Sequence, residues 1–272
     1  MIKNIIYLTF ILLIVVACRQ VPVTGRSQFS LLPDSEVNTM SLQSYNQFLT
    51  EHKGSVLPEN NPEAIKVKNI GERIKQAVIA HSQQENYYDR IKDYNWEFHT
   101  VEDKTVNAWC MPGGKVVVYT GLIPVAQNDN ALAIVMGHEI AHAVAGHGNE
   151  RMSEQVLSQG LLEAGSVLSS LSTKSSAIKN VALQAMGAGS QLGLLAFSRR
   201  QESEADKIGL IYAAIAGYNP DEAILFWKRM ESMNKGQRPP EILATHPTDE
   251  HRIAALQSQL PEVKAKYYKP RN

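Results

Sequence analysis

Cysteine is nearly absent from this chain: Cys18 and Cys110 are the only two in 272 residues, too few for a disulfide scaffold. Net charge is absent as well, 27 Lys and Arg standing against 27 Asp and Glu. With no basic surplus, and no basic stripe interleaved with aromatics, nothing argues for a nucleic-acid partner. Between residues 152 and 196 there is no aromatic residue at all. That stretch is rich in Ala, Gly, Ser and Leu, but Glu163, Lys174 and Lys179 interrupt it, which argues against a pair of membrane spans. It reads as two helices, roughly 152–171 and 176–197, packed closely through small side chains. No internal repeat is present, so an appended solenoid is excluded. What remains, with 44% hydrophobic residues, is enough for one substantial core or at most two small ones.

The N-terminus carries the one long apolar run. After Lys3, residues Ile5 to Ala17 are apolar apart from Thr9, and the run stops at Cys18. As a helix it spans about 20 Å, short of the roughly 30 Å hydrocarbon core, so it reads as the core of a signal peptide. Val15-Val16-Ala17-Cys18 resembles a bacterial lipobox. The resemblance implies cleavage before Cys18, lipid on that cysteine, and attachment to a membrane on the periplasmic side. Arg19 rather than aspartate follows, which by the sorting rule of enteric bacteria points to the outer membrane. Cys110 is then left without a partner and reads as a packed thiol. The expected organisation is a signal peptide 1–17, an extended tether 18–35, a single domain 36–265 and a short tail 266–272.

Along that domain, Asp34 or Ser35 is placed to cap a first helix with an apolar stripe at Met40, Tyr45, Phe48 and Leu49. A second helix has Ile65, Val67, Ile70, Ile74, Val78 and Ile79 near helical spacing. Asn95–Val101 alternates at period two, as a half-buried strand does. Asn107–Met111 is a strand running into the turn Pro112-Gly113-Gly114, and the β-branched run Lys115–Thr120 follows. A small antiparallel sheet is therefore expected just before the segment that carries the chemistry. Further helices are expected at 221–234 and near 249–259, giving an α+β, mostly helical domain.

That chemical segment is Gly137-His138-Glu139-Ile140-Ala141-His142, an H-E-x-x-H pattern inside an apolar helix that begins near Asn130 and stops near Gly146-His147-Gly148. The i, i+4 spacing puts His138 and His142 on one face, one turn apart. Two such imidazoles can hold one Zn²⁺, and the carboxylate of Glu139 can reach a water bound to it. Catalytic zinc takes three protein ligands and leaves one position open. The metzincin arrangement needs Gly and then His where this chain has Ala145 and Gly148, so it is excluded. Glu163 lies at the distance of a thermolysin-type third ligand, but the position four residues on is Val167, not Asp. In Glu202-Ser203-Glu204-Ala205-Asp206 the outer two acids share a helix face. Glu202 is therefore the expected third ligand, with Asp206 accepting the spare N–H of a ligand histidine. Glu204 falls on another face and reads as a solvated neighbour.

In combination, H-E-x-x-H, Ser198–Asp206 and Thr245-His246-Pro247 resemble the M48 family of zinc metallopeptidases over roughly residues 60–260. Asn107-Ala108-Trp109 with Pro112-Gly113-Gly114 resembles another of its motifs, Trp109 standing where Phe is more usual. The resemblance implies a zincin-like (gluzincin) fold, one Zn²⁺ and a minimal, lipid-anchored form of the domain. It implies that His246 serves the developing oxyanion, that Arg252 supports it, and that His246 can also act as a fourth ligand that holds the site latent. The strands ending at Pro112-Gly113-Gly114 offer an edge on which an extended peptide can add as a further strand, with Asn107 and Ala108 beside it. The expected function is a zinc endopeptidase of the bacterial envelope acting on unfolded or misassembled proteins, with Glu139 as general base. The competing expectation is a chaperone or assembly factor with a latent zinc site.

Overall fold

A computed structural model describes residues 18–163, 197–234, 240–247 and 250–270. The described residues begin with a hairpin, β1 (Cys18–Gln20) antiparallel to β2 (Ser27–Phe29). Two helices follow, α1 (Asp34–Glu51) and α2 (Pro62–Gln84), then β3 (Glu97–Val101), β4 (Ala108–Met111) and β5 (Lys115–Tyr119). A short α3 (Leu122–Ala126) precedes α4 (Asp129–Ala145) and α5 (His147–Glu163). Beyond residue 196 come α6 (Arg199–Ile215), α7 (Glu222–Asn234), a single turn α8 (Ile242–Thr245) and α9 (Glu250–Tyr267). The two small-residue helices expected over 152–197 lie largely outside the described residues, as does the apolar run before Cys18. Among the described residues, no helix is long and apolar enough to cross a membrane.

Two expectations are corrected here. The sheet is mixed rather than antiparallel: its order is β3-β5-β4, with β3 parallel to β5 and β4 antiparallel to it. The reason lies in Val116-Val117-Val118, which is buried on both faces. Val116 and Val118 join the main core, while Val117 packs with Tyr45 and Phe48 of α1. A strand apolar on both faces takes the centre of a sheet, so β5 enters between its two predecessors. The second correction concerns 18–35. It is a packed hairpin rather than an extended tether, with Val21 and Gln28 both 1% exposed.

The centre of the fold is α4. From Ala131 to Ala145 every residue is buried, as expected of a helix apolar on all sides. Asn128 caps it by accepting the Ala131 N–H, and Gly146 closes it at φ 74°, a left-handed cap that glycine adopts at least cost. The chain then enters α5 at once, so the expected stop is a sharp corner. Against α4 lies α6, started by a reciprocal capping box between Ser198 and Gln201. The two helices touch backbone to backbone at Gly137 and Gly209, where a Cβ on Gly209 would come within 2.7 Å of Gly137 C and His138 N. α9 runs on to Tyr267, through Pro261 and past the expected limits at 259 and 265.

Candidate metal centre

The crossing of α4 and α6 sets the site. It brings His138 and His142 from one helix to Glu202 from the first turn of the other, while α8 delivers His246. The four ligating atoms lie within 4.8 Å of one another, and all four residues are buried. His142 Nε2 is 3.1 Å from His138 Nε2, and the Glu202 carboxylate oxygens lie 3.3 Å and 3.4 Å from those two nitrogens. His246 Nδ1 lies 3.2 Å from His138 Nε2 and 2.9 Å from Glu202 Oε1. A tetrahedral ion with zinc–nitrogen bonds of about 2.0–2.1 Å requires donor separations of about 3.3 Å. The donors present fit a zinc-sized cation.

Their outer contacts strengthen that fit. His138 donates its Nδ1–H to Asp206 Oδ1 at 2.9 Å, and His142 Nδ1 is engaged by His147 Nδ1 at 2.9 Å. With each ring's far nitrogen so occupied, the Nε2 lone pairs of both rings face each other, an arrangement that needs a proton or a cation between them. Asp206 is held in turn by Arg252, whose Nε and Nη2 each donate at 2.7 Å. Arg252 Nη1 lies 2.9 Å from Glu202 Oε2, and the guanidinium stacks 3.3 Å from the centroid of Trp227.

Charge follows this geometry. Burial lowers the His138 imidazole, but Glu202 and Asp206 outweigh that and hold it up at about 9. Burial drives His142 well down. Burial also raises Glu202 and Asp206, yet the histidines keep the first far below the carboxylate range and Arg252 keeps the second below it. Glu139 differs. Burial raises its carboxyl, with His246 and His138 opposing, and its Oε1 is buried with no hydrogen-bond partner. His246 Nε2 lies 3.5 Å from that oxygen. An unpartnered carboxylate beside a metal donor set is poised to take a proton from a water.

The remaining expected residues fall around this centre. β4 is an edge strand packed along α4, with Ala108 in it and Pro112-Gly113-Gly114 forming the turn to β5, both glycines at positive φ (88° and 79°). Asn107 ties the start of β4 to the segment before α8: its Oδ1 accepts the Ala108 N–H and its Nδ2 donates to Glu241 at 3.3 Å. Cys110 is partly buried, its thiol raised well above the ordinary range by burial, and it is not among the clustered donors. Phe197 covers the histidines, its ring centroid 3.8 Å from that of His142 and 5.1 Å from that of His246.

Sequence reasoning missed three contributors: Phe197, His147 and Glu204. Glu204, expected to be solvated, is 7% exposed and binds Arg26, Thr24 and His147. Its partner Arg26 lies 178 residues away, and no local spacing announces such a contact. His147 carried a signal, a histidine five residues after the second of the H-E-x-x-H pair, but it looked like part of a helix stop.

A cation-sized cage of imidazole and carboxylate, with a spare base beside it, defines a metal-dependent hydrolase. The chain belongs to peptidase family M48, whose sequence profile matches residues 69–260, and it is a metallopeptidase. It is 33% identical to the mitochondrial metalloendopeptidase OMA1 of Saccharomyces cerevisiae, over 90% of this chain and 70% of that protein. It is 31% identical to the human metalloendopeptidase OMA1, over 89% of this chain but 45% of that protein. The β-barrel assembly-enhancing protease of Escherichia coli is 31% identical over 62% of this chain and 35% of its own length.

Proposed function

We propose that this chain is a zinc-dependent endopeptidase of a bacterial envelope, cutting unfolded or misassembled proteins on the periplasmic side. The observation that carries the reading is the buried Glu139 carboxylate, unpartnered at Oε1, beside the His138–His142–Glu202–His246 cluster. A purely structural zinc site needs no such base.

His138, His142 and Glu202 are assigned as the ligands of one Zn²⁺, which when bound supplies Lewis-acid polarisation of the scissile carbonyl and acidifies a water. Glu139 takes the proton of the attacking water and later delivers it to the leaving amine. His246 would turn its N–H to the developing oxyanion. Asp206 fixes the His138 tautomer, and Arg252 holds Asp206 and Glu202 in register. An extended substrate adds to the free edge of β4, its backbone pairing beside Ala108 and the Pro112-Gly113-Gly114 turn, with Asn107 beside it. Backbone pairing of that kind suits clients selected for being unfolded. Location rests on the lipobox-like Val15–Cys18 segment, with lipid on Cys18 and Arg19 directing the protein to the outer membrane.

The test is Glu139→Gln. Cleavage of casein should fall by about 10²- to 10⁴-fold with zinc retained, and retained cleavage would sink the proposal. The buried, four-donor state with Phe197 over it favours a second reading, a client-binding assembly factor with a latent site. That reading predicts client binding without any cleavage, self-cleavage included, that 1,10-phenanthroline can stop.

A further inference from the structure

The hairpin at residues 18–29 lies outside the segment matched by the family profile, yet its side chains reach the metal centre. Arg26 donates from Nε to Glu204 Oε2 at 2.6 Å and from Nη1 and Nη2 to both oxygens of Glu150 at 2.5 Å and 2.7 Å. Thr24 donates to the other oxygen of Glu204 at 2.5 Å. Gln28 donates to Ala145 O, at the end of α4, at 2.9 Å. Glu204 Oε2 lies 3.3 Å from His147 Nε2, and His147 Nδ1 lies 2.9 Å from His142 Nδ1. His147 is fully buried.

The donors and acceptors in this chain fit together in one direction only. His142 presents Nε2 to the cluster, so its Nδ1 carries the hydrogen and donates it to His147 Nδ1. His147 then carries its own hydrogen on Nε2 and gives it to the Glu204 carboxylate. A residue that merely filled space would not need both nitrogens aligned between a ligand and an anion.

We propose that the hairpin is the outermost part of the metal centre: Thr24 and Arg26 hold Glu204, Glu204 holds His147, and His147 orients His142. Arg26, Glu204 and His147 are positioning residues, acting on the metal through His142. The inference rests on the assignment of His142 as a zinc ligand.

Equilibrium Zn²⁺ affinity of the full chain, read by competition with a chromophoric chelator, tests it, with the melting temperature of each metal-free variant measured alongside. His147→Leu should weaken zinc binding by about 10- to 100-fold. His147→Asn, whose amide oxygen can accept the same hydrogen, should recover most of that loss. Arg26→Met should weaken binding less, and its effect should largely vanish in a His147→Leu background, because the two act in series. Folded variants that bind zinc within twofold of wild type overturn the proposal, even if their melting temperatures fall, and so does additivity of the two substitutions. Should His147→Leu fail to fold, Arg26→Met alone decides by the same criterion. A wild-type chain that binds no zinc overturns the ligand assignment as well, whereas tight wild-type binding with unaffected variants overturns the hairpin's role alone.

Discussion

His138 and His142 stand one turn apart on α4, yet they are supported from opposite sides by different means. The outer nitrogen of His138 meets a carboxylate directly, Asp206, which a buried arginine clamps. His142 reaches its carboxylate through a second imidazole, and the arginine that holds Glu204 comes from the far end of the chain. The first support is short, buried and assembled from α6 and α9. The second is longer, spans three separate segments, and its stability is tied to the hairpin at the N-terminus. One helix face thus carries one imidazole braced from α6 and α9 and one whose orientation depends on the N-terminal hairpin.

Breaking the His138 side should cost most. Arg252→Met removes one partner of a buried ion pair and leaves Asp206 with His138 alone and Glu202 with the histidines alone, so chemical denaturation of the metal-free protein should show a loss of about 3–5 kcal/mol. Gly209→Ala strikes the crossing that serves both sides. Its Cβ meets the backbone of Gly137 and His138, which no rotamer change relieves. A loss of about 1–3 kcal/mol is expected, with weaker zinc binding because α4 is pushed away from Glu202.

The His142 side should instead show its dependence on acid. Burial alone would raise the Glu150 carboxyl, but hydrogen bonds from Arg26, Gln201 and Gln28 outweigh it and bring it from 4.5 down to about 2. A depressed carboxylate stabilises the fold above its unfolded value and loses that contribution as pH falls through its folded one. The melting temperature of wild type should therefore exceed that of Glu150→Gln by a constant margin above pH 4.5, and the margin should close as pH approaches 2. The smallest effect is expected at Cys18. Cys18→Ala should move the protein from the membrane to the soluble fraction while casein cleavage by the purified protein stays unchanged.

The same asymmetry explains what could be read from the residues. α4 was legible because its apolar run is unbroken, and Glu202 with Asp206 was legible because i, i+4 spacing is a local property of a helix. The order of the sheet was not: strand alternation says which residues face a core, but not that β5 would be apolar enough on both faces to enter between β3 and β4. The support of His142 was not legible either. Glu204 looks like any exposed acid until the hairpin folds back over it, and a Pro- and Gly-containing segment after a lipobox-like run reads as a tether. Local periodicity reports on one helix at a time, and this half of the site exists only where three segments meet.

The central claim is that side chains from α4, α6 and α8 converge on one divalent ion. Zinc K-edge X-ray absorption of the zinc-loaded chain, beside Glu202→Ala, tests it most directly. One zinc per wild-type chain is expected, with a nitrogen and oxygen shell, imidazole outer scattering, no sulfur, and loss of tight binding in the variant. Sulfur in the shell, or a spectrum and stoichiometry unchanged by Glu202→Ala, would contradict it.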